Sequence, residues 1–301
     1  MSAAKAVILE YRGLLRVGGA DRIEFLQGIV SNDVTRASAE HALWAAFLTP
    51  QGKFLHEFFM AAEGESLLLD CEAERSADLA RRLKLYKLRS QVTVEDASEA
   101  LLVAALIGEG ALERLGLPED PGAAGPFGGG LAFVDPRLPR LGARAFLPRE
   151  SAAGALAEAG FEAGTLEDYD LLRIAAGAPD GSRDLEIERS ILLENGFDEL
   201  HGVDWDKGCF MGQELTARTK YRALIKKRLL PVEVAGPLPE RGTAITRDGK
   251  TAGVLHSVVE ADGKALGLAL LRLDALGERD QTPLMAGEAE VTARKPDWAE
   301  F

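Results

Sequence analysis

Cysteine and histidine are scarce in this sequence. Its 301 residues include two cysteines, Cys71 and Cys209, and four scattered histidines. Two thiols so far apart form no C-x-x-C pair, no zinc framework and no four-thiolate cage for a cluster, which fits a reducing compartment. The histidines also lack H-E-x-x-H spacing. We therefore expect no metal site that this chain holds by itself.

Long apolar runs and an excess of positive charge are missing too. Aliphatic stretches such as Leu101–Ile107 stop well short of the roughly 18 residues that a membrane span needs. Because 48 acidic side chains outnumber 35 basic ones, the average surface repels nucleic acid and anionic membranes. We expect a soluble cytoplasmic protein with small-molecule or protein partners, no direct nucleic acid binding and no membrane association. Any anion site must be local.

The hydrophobic pattern that is present divides the chain into regions. Two successive stretches alternate strand-like runs with amphipathic helices, one ahead of Ser90 and one from Leu101 to Ala159, and they predict paired α+β units. From Arg228 onward, short strand-like runs alternate with Asp-Gly, Gly-Lys and Pro-Gly turns, which indicates a small all-β barrel. We expect an α+β region over residues 1–227 and a C-terminal β-barrel over residues 228–301.

Local signals predict individual elements. The stretch AVILEYRGLLRVGG predicts a hairpin or two short strands, and LWAAFLTPQGKFLHEFFMAAEGESLLLDC predicts three strands. Asp21 with Glu24, and Thr165 with Asp168, have the spacing of capping boxes at helix starts.

Cys209 lies in the unusual stretch KGCFMGQE. Lys207 precedes it by two residues, while Gly208 and Gly212 permit a tight turn into a helix that begins near Gln213. A nearby cation and a helix N-terminus both favour a thiolate. Two interpretations stay open: Cys209 is a functional thiol, or it is a small buried hydrophobe in a turn. Gln213 is either a cap residue or a ligand contact.

A basic run follows that stretch with no acid inside it. Its cations are Arg218, Lys220, Arg222, Lys226, Lys227 and Arg228. Such a run is either a solvated helix face or strand edge, or a local docking surface for an acidic partner or a polyanionic ligand such as a poly-γ-glutamyl tail. Arg218 and Arg222 are four apart and share a face if the helix extends that far.

Four stretches of the chain carry a family resemblance: KGCFMGQE, ARTKYRALIKKRL, DYDLLRIAAGAP, and FLQGIVSNDV with TPQGKFLHEF. Together they resemble the YgfZ branch of the aminomethyltransferase-like superfamily, which includes the glycine cleavage T-protein. The resemblance implies two interleaved ferredoxin-like α+β units and a C-terminal β-barrel around a central folate cleft. It also implies tetrahydrofolate binding and a role in making or repairing iron–sulfur clusters in client enzymes, including enzymes that thiolate transfer RNA.

The resemblance also assigns residues to roles. Cys209 is the working thiol and Lys207 its electrostatic partner. The folate contacts that it implies are Arg12, His56, Glu57, Tyr169, Arg173, Gln213, Arg218 and Arg222.

Some of these residues depart from the family pattern or leave alternatives open. His56 and Glu57 stand where aminomethyl-transferring T-proteins carry an Asp-Asp pair, so strict glycine cleavage is not expected. Arg12 and Tyr169 are able to cover a flat pterin ring. Arg173 lies on an otherwise apolar helix face, where it either reaches the cleft or forms an internal ion pair with Asp168 or Asp170.

We predict a tetrahydrofolate-binding protein that assists iron–sulfur cluster assembly or repair, with assembly or client proteins as partners. Two other functions stay open. One is a folate-dependent aminomethyltransferase or demethylase that passes a one-carbon unit to tetrahydrofolate, with Glu57 or His56 as base. The other is a non-catalytic scaffold that docks partners through residues 218–228 and leaves Cys209 structural.

Overall fold

The computed structural model describes residues 3–222, 225–261, 263–276 and 282–301. The chain divides into two compact units, which interleave along the sequence. Unit 1 comprises Met1–Leu48, Leu55–Tyr169 and His201–Met211, and unit 2 comprises Thr49–Phe54, Asp170–Leu200 and Gly212–Phe301. The predicted ranges 1–227 and 228–301, by contrast, follow the chain in order.

The described strands form two sheets and one closed barrel. In chain order the strands are β1 (Lys5–Ile8), β2 (Arg12–Gly18), β3 (Leu43–Leu48), β4 (Phe54–Glu63), β5 (Ser66–Glu72), β6 (Thr93–Asp96), β7 (Leu101–Ile107), β8 (Ala124–Phe127), β9 (Gly130–Val134), β10 (Ala143–Pro148), β11 (Glu162–Ala163), β12 (Lys227–Ala235), β13 (Ala244–Arg247), β14 (Lys250–Ala261), β15 (Lys264–Arg272), β16 (Leu284–Ala286) and β17 (Ala289–Ala293). The α-helices are α1 (Arg22–Gln27), α2 (Ser76–Tyr86), α3 (Ala111–Leu115), α4 (Ala152–Glu158), α5 (Leu166–Ala175), α6 (Gly181–Asp184) and α7 (Gln213–Tyr221).

A six-stranded sheet in unit 1 has the order β11-β1-β7-β10-β9-β8. All its pairings are antiparallel except that of β1 with β11. Strand β7 reads LLVAALI without alternation because it lies inside the sheet and is buried over nearly its whole length. Ala111 of α3 and Leu156 of α4 pack against this sheet, so helices cover one of its faces.

A five-stranded sheet in unit 1 has the order β3-β4-β5-β2-β6 and is covered by α1 and α2. Leu26 of α1 and both Leu79 and Leu83 of α2 are fully buried in its core. The chain leaves one sheet for the other between β1 and β2 and returns between β6 and β7. The predicted interleaving of two α+β units is confirmed. The AVILEYRGLLRVGG stretch forms two strands that lie in different sheets, and it is not a hairpin.

The C-terminal strands close into a barrel with the order β12-β15-β14-β13-β16-β17. Alternate side chains such as Leu230, Leu255 and Leu271 fill its interior. The predicted all-β barrel is therefore confirmed, and its first strand begins at Lys227, one residue before the predicted boundary.

The two predicted capping boxes have different outcomes. Asp168 accepts a hydrogen bond from the Thr165 backbone amide at 2.9 Å and donates its own amide to Thr165 Oγ1 at 3.3 Å, as a capping box requires. Asp21 makes no side-chain cap bond to α1, because its carboxylate accepts from the amide of Gln91 at 2.7 Å. The prediction of a capping box at Asp21 was wrong because the carboxylate is bonded to Gln91, a residue 70 positions away in the sequence. Among the residues described, no helix is long and apolar enough to cross a membrane.

Candidate functional site

Lys207 fastens the loop that carries Cys209. Its Nζ donates to the backbone carbonyls of Gln27 at 2.6 Å and Val30 at 2.7 Å, at and just beyond the end of α1. Carbonyls at a helix C-terminus lack intrahelical partners, and the negative end of the helix dipole attracts a cation. Burial lowers the pKa of Lys207 to about 8, against the opposing effect of Asp33 and Asp204. The amine therefore anchors the loop.

The rest of segment 201–211 is hydrogen-bonded to segment 27–32, which begins at the last residue of α1. Five further hydrogen bonds join the two segments: Met211 N to Gly28 O at 3.2 Å, Gln27 Nε2 to Lys207 O at 3.4 Å, Asp204 N to Ser31 O at 3.0 Å, Ser31 Oγ to Gly202 O at 2.6 Å, and Asn32 Nδ2 to His201 O at 2.7 Å. The motifs FLQGIVSNDV and KGCFMGQE therefore meet in space. The backbone on both sides of Cys209 is held in place.

The two cysteines have opposite environments. Cys209 is exposed, whereas Cys71 is 1% exposed in β5. Burial raises the pKa of Cys71 to about 12, so this thiol is neutral and shielded at physiological pH. The interpretation of Cys209 as a buried hydrophobe is wrong. Its chemical role and the pairing of its thiolate with Lys207 stay predictions.

The turn before β4 lies against the start of α7 in unit 2. Gly52 has φ +80°, and a Cβ at this position would come within 2.6 Å of Leu215 Cβ and 2.7 Å of the Gly212 carbonyl oxygen. Only glycine fits this close approach. Gly212 itself is left-handed and precedes the helix, in whose first turn Gln213 is half-buried.

The basic run is mostly exposed, with one exception. Arg218, Lys220, Arg222, Lys226 and Lys227 are exposed, with Arg222 following the last residue of α7. Arg228 is buried. It pairs with Glu199 and donates to the Leu193 carbonyl at 3.1 Å. Arg228 is therefore not part of an exposed basic surface. Two residues of this stretch, 223 and 224, lie outside the described residues.

A buried ionic cluster lies between the two sheets of unit 1. Asp70 on β5 accepts from Arg12 Nε at 2.5 Å through Oδ1 and from Arg144 Nη1 at 2.6 Å through Oδ2. Glu57 on β4 accepts from Arg12 Nη1 at 2.5 Å and from Trp44 Nε1 at 2.5 Å. These groups are all at most 4% exposed. The cluster links strands of both sheets because Arg144 belongs to β10.

Tyr169 completes the same buried ionic cluster. Its hydroxyl accepts from Arg144 Nη2 at 2.8 Å and from Arg137 Nη2 at 3.2 Å, and Arg137 also pairs with Asp135 at 2.6 Å. The guanidinium of Arg144 lies 3.8 Å from the ring centre of Phe59. Burial lowers the pKa of Arg137, but the charge of Asp135 outweighs it and the pKa is raised well above its ordinary value. The cluster contains three arginines and three carboxylates, so the buried charges balance.

His56 points away from the buried ionic cluster. Successive residues of a strand face opposite sides of the sheet, so His56 and its neighbour Glu57 cannot face one substrate together. His56 Nε2 lies 3.0 Å from Asp78 Oδ2 on α2. Burial, reinforced by the charge of Arg75, lowers the pKa of His56 to about 4 despite this carboxylate. The imidazole is therefore neutral at physiological pH.

Arg173 forms the internal ion pair that the sequence left open. It is fully buried in unit 2 and donates to Asp170 at 2.6 Å, Asp184 at 2.7 Å and Ser257 Oγ at 2.8 Å. Burial lowers its pKa, but the carboxylates led by Asp184 outweigh it and raise the pKa. Asp168 is not its partner, because Asp168 pairs with Lys5 at 2.7 Å. Arg173 thus joins α5 to α6 and to barrel strand β14.

These contacts test whether the predicted folate residues fit a folate. Arg12, Glu57, Tyr169 and Arg173 are buried, and their polar groups are engaged by protein partners. Arranged in this way they do not fit contact with a pterin or its tail. Tetrahydrofolate binding stays a prediction.

Some residues of these arrangements escaped the sequence analysis. Arg144 and Arg137 were not singled out, although an arginine inside the apolar strand ARAFLP is a visible signal that a buried carboxylate must meet it. Gln27 and Ser31 belong to a motif that was recognised, but their bonds to the loop around Cys209 join residues about 170 to 180 positions apart. No local pattern encodes such a pairing.

The fold defines the class of protein. The structure resembles the glycine cleavage system aminomethyltransferase T from Bartonella henselae with a TM-score of 0.78 and 16% identity, over 97% of this chain and 85% of that one. Residues 226–301 match the family described as CAF17, C-terminal beta-barrel domain. The chain is thus an aminomethyltransferase-fold protein with a CAF17-type barrel.

The curated relatives narrow that class to one family. The protein named iron-sulfur cluster assembly factor IBA57, mitochondrial, is 34% identical in Homo sapiens and 33% identical in Mus musculus, each over 96% of this chain and 84% of the relative. The chain belongs to the IBA57 family. The aminomethyltransferase fold that the resemblance implied is confirmed, whereas these relatives do not show the YgfZ branch specifically. These relatives are named as mitochondrial, which contradicts the expectation of a cytoplasmic protein.

Proposed function

We propose that this protein is an iron–sulfur cluster assembly factor whose working group is the thiol of Cys209. The relatives bear the name of iron–sulfur cluster assembly factors, and the aminomethyltransferase fold is compatible with that family. One observation carries the assignment of the residue. Cys209 is exposed on a loop whose backbone is fastened on both sides to segment 27–32.

A thiolate is the ligand that iron–sulfur clusters take most often. Of the two cysteines in the chain, Cys71 is buried, so this chain offers one thiolate to a cluster that it handles as cargo. The remaining ligands must come from a partner protein. Cys209 loses its proton as it binds iron. The fastened backbone fixes the direction from which the partner presents the cluster.

Complementation tests this function. In cells that lack the protein, we expect wild type to restore the activities of iron–sulfur enzymes, and Cys209→Ser to fail although it accumulates as a folded protein, because a hydroxyl does not replace a thiolate as an iron ligand. Cys71→Ala is the matched control and should restore activity. A cluster-free dehydrogenase provides the baseline. Restoration by Cys209→Ser would overturn the role of the thiol.

Tetrahydrofolate and transfer-RNA-thiolating clients belong to the same proposal as separate predictions. Calorimetry with mono- and polyglutamylated tetrahydrofolate tests the first, and the content of thiolated nucleosides in complemented cells tests the second.

If Arg218 and Arg222 receive the glutamyl tail, each added carboxylate contributes on the order of 0.5 kcal/mol, and salt weakens the effect. Equal affinities for all tail lengths would remove this role from the basic run.

The two alternative functions have distinct signatures. A transferase or demethylase turns over methylamine-type donors with tetrahydrofolate as acceptor. No observation favours it, because Glu57 is held by Arg12 and Trp44 while His56 is bonded to Asp78. A scaffold that docks through residues 218–228 would tolerate Cys209→Ser and fail on charge reversal of the exposed cations.

A further inference from the structure

Helix α2 and the turn after it carry a local excess of positive charge. Residues 76–90 hold one carboxylate, Asp78, in a chain whose formal net charge is −13. Their cations are Arg81, Arg82, Lys84, Lys87 and Arg89. Two of these, Arg81 and Arg82, pair with Asp78. Lys84 and Arg89 are exposed, so the surface presents positive charge where the average surface of the chain is negative.

The same helix presents leucines outward. Leu79 and Leu83 are fully buried against the five-stranded sheet, as expected for the apolar face of an amphipathic helix. Leu85 is 63% exposed and Leu88 is 86% exposed. Leu85 lies in the last turn of α2 and Leu88 in the turn that follows it, so the two exposed leucines are near each other along the chain. An exposed apolar pair rimmed by cations is the composition of a contact surface.

The backbone holds Leu88 in this position. Leu88 has φ 45°, in the left-handed region that leucine rarely adopts. The turn is closed by a hydrogen bond from the Ser90 amide to the Lys87 carbonyl at 2.7 Å, and Lys87 Nζ donates to the Val92 carbonyl at 2.8 Å. Unusual backbone of this kind persists where the surrounding contacts enforce it, and it concentrates at functional surfaces. Leu88 is thus presented on a closed turn, which lowers the entropy lost on binding.

Two hollows lie along α2 and the turn after it. A groove of about 420 Å³ runs between α2 and β6. Arg81 and Lys84 line it on the α2 side, Asp96 lies at the end of β6, and Leu15 and Val94 are apolar lining residues. A second hollow is formed by residues 86–90 at the end of the helix. The helix therefore offers both protruding apolar groups and an indentation beside them, which is the relief that a protein surface matches.

We propose that this α2 surface, formed by residues 76–90 with the groove beside β6, docks a protein partner that has an acidic rim around an apolar recess for Leu85 and Leu88. Charge complementarity selects that partner, because Lys84 and Arg89 attract carboxylates whereas the average surface of a chain with net charge −13 repels them. An anionic bilayer fits less well, since it would meet the negative average surface as well as these few cations. That the partner delivers or receives the cluster rests on the proposed function.

Photo-crosslinking tests the α2 surface in the full-length protein. Benzoylphenylalanine at position 88 should give one dominant adduct in cells, with the crosslinked peptide, identified by mass spectrometry, carrying Asp or Glu beside apolar residues. The control is the same probe at position 157, which is exposed on α4. Charge reversal by Lys84→Glu with Arg89→Glu should lower the adduct yield about tenfold. Arg189→Glu, an exposed cation of unit 2, should leave it unchanged.

Several outcomes would overturn the proposal. They are equal adduct yields at positions 88 and 157, a main adduct between two copies of this chain, and an adduct yield that is unchanged in the Lys84→Glu, Arg89→Glu protein. Binding to vesicles of phosphatidylglycerol and phosphatidylcholine that is lost in the Lys84→Glu, Arg89→Glu protein would assign the surface to a membrane instead.

Complementation separates this proposal from the proposed function. A Leu85→Ser, Leu88→Ser protein, changed at exposed positions only, should fold normally and restore iron–sulfur enzyme activity poorly. Full restoration by this variant, together with failure of Cys209→Ser, would overturn the α2 surface and leave the function standing. Restoration by Cys209→Ser, with a charge-dependent adduct at position 88, would overturn the role of the Cys209 thiol and leave the α2 surface standing.

Discussion

The buried ionic cluster and the loop around Cys209 both belong to unit 1, yet they treat polar groups in opposite ways. In the cluster, Arg12, Glu57 and Asp70 direct their charges at one another and are almost fully buried. In the loop, Lys207 and the backbone make the contacts, and the thiol of Cys209 is left in solvent. The sequence motifs predict these polar residues as one site. In the structure, Arg12 and Glu57 are bonded within the protein, whereas Cys209 is exposed.

The two regions differ in whether their polar groups are bonded to other protein groups or exposed to solvent. A buried charge needs a partner inside the protein, because the desolvation penalty is several kcal/mol per ion. Once Asp70 has received two arginines, little capacity remains for a ligand. The thiol of Cys209 is small and weakly polar, so it stays exposed at little cost. The cluster therefore links the two sheets of unit 1, and the loop leaves the thiol of Cys209 in solvent.

Asp70→Asn should produce the largest loss of stability. It removes the carboxylate shared by Arg12 and Arg144, and because Arg12 keeps Glu57, the buried cluster is left with one uncompensated positive charge. We expect the free energy of unfolding to fall by about 3–5 kcal/mol. Urea unfolding followed by circular dichroism measures it. The matched control is Arg189→Gln, which breaks the exposed pair with Glu186 and should cost less than about 1 kcal/mol. A comparable loss in both proteins would show that the buried cluster stabilises the fold no more than an exposed ion pair does.

Acid should weaken the fold through His56, on the opposite face of β4. Its pKa is about 4 in the folded protein against 6.5 for an unperturbed histidine, so the unfolded chain takes up a proton first as the pH falls. Stability from this group is full above about pH 6.5 and is lost down to about pH 4, with about 2 kcal/mol gone at about pH 5. Asp78, whose pKa is lowered through its bonds to Arg82, Arg81 and His56 against the opposing effect of burial, loses its contribution only at lower pH.

Urea unfolding at about pH 7.5 and about pH 5 measures the effect of His56. His56→Gln serves as the comparison, because its side chain does not titrate. The wild type should lose about 2 kcal/mol more than the variant between the two pH values. Parallel losses would contradict the neutral, buried state of His56.

The sequence predicts most of the fold but little of how charged residues are paired. Alternation, helical periodicity and turn residues are local, so three strands around Pro50 and Gly64 and the C-terminal barrel follow from them. The pairing of β1 and β2 with different sheets is a long-range outcome, and the prediction of a hairpin at this place was one of two that local pattern allowed.

The candidate site shows the same limit. The motif KGCFMGQE singles out Cys209, and its glycines correctly predict a turn into α7. The partner of Lys207 is not sequence-adjacent: the carbonyls that it binds belong to residues 177 and 180 positions earlier. Arg173 shows the other case, because Asp170 at i−3 was one of the predicted acceptors, while Asp184 and Ser257 were out of reach of any local rule.

Lys207→Ala should loosen the loop with a moderate loss of stability. The change removes two charge-assisted hydrogen bonds to the end of α1 on a half-buried side chain, so we expect a loss of about 1–2 kcal/mol. Hydrogen exchange should accelerate at the amides of Met211 and Asp204, which donate to Gly28 and Ser31. Lys226→Ala, at an exposed position of the basic run, should change neither measurement. Unchanged exchange in Lys207→Ala would mean that the lysine does not anchor the loop.

Cys209→Ser should have the smallest effect on stability, within about 0.5 kcal/mol, because the sulfur is exposed and the backbone around it is held by other groups. Thiol titration of the native protein should find one fast-reacting group, and the serine variant should lose it. Cys71, buried and with a pKa of about 12, should react only after unfolding, where both thiols become equivalent. Two fast-reacting thiols in the native wild type, or a residual fast thiol in the variant, would contradict the separation of the structural cysteine from the exposed one.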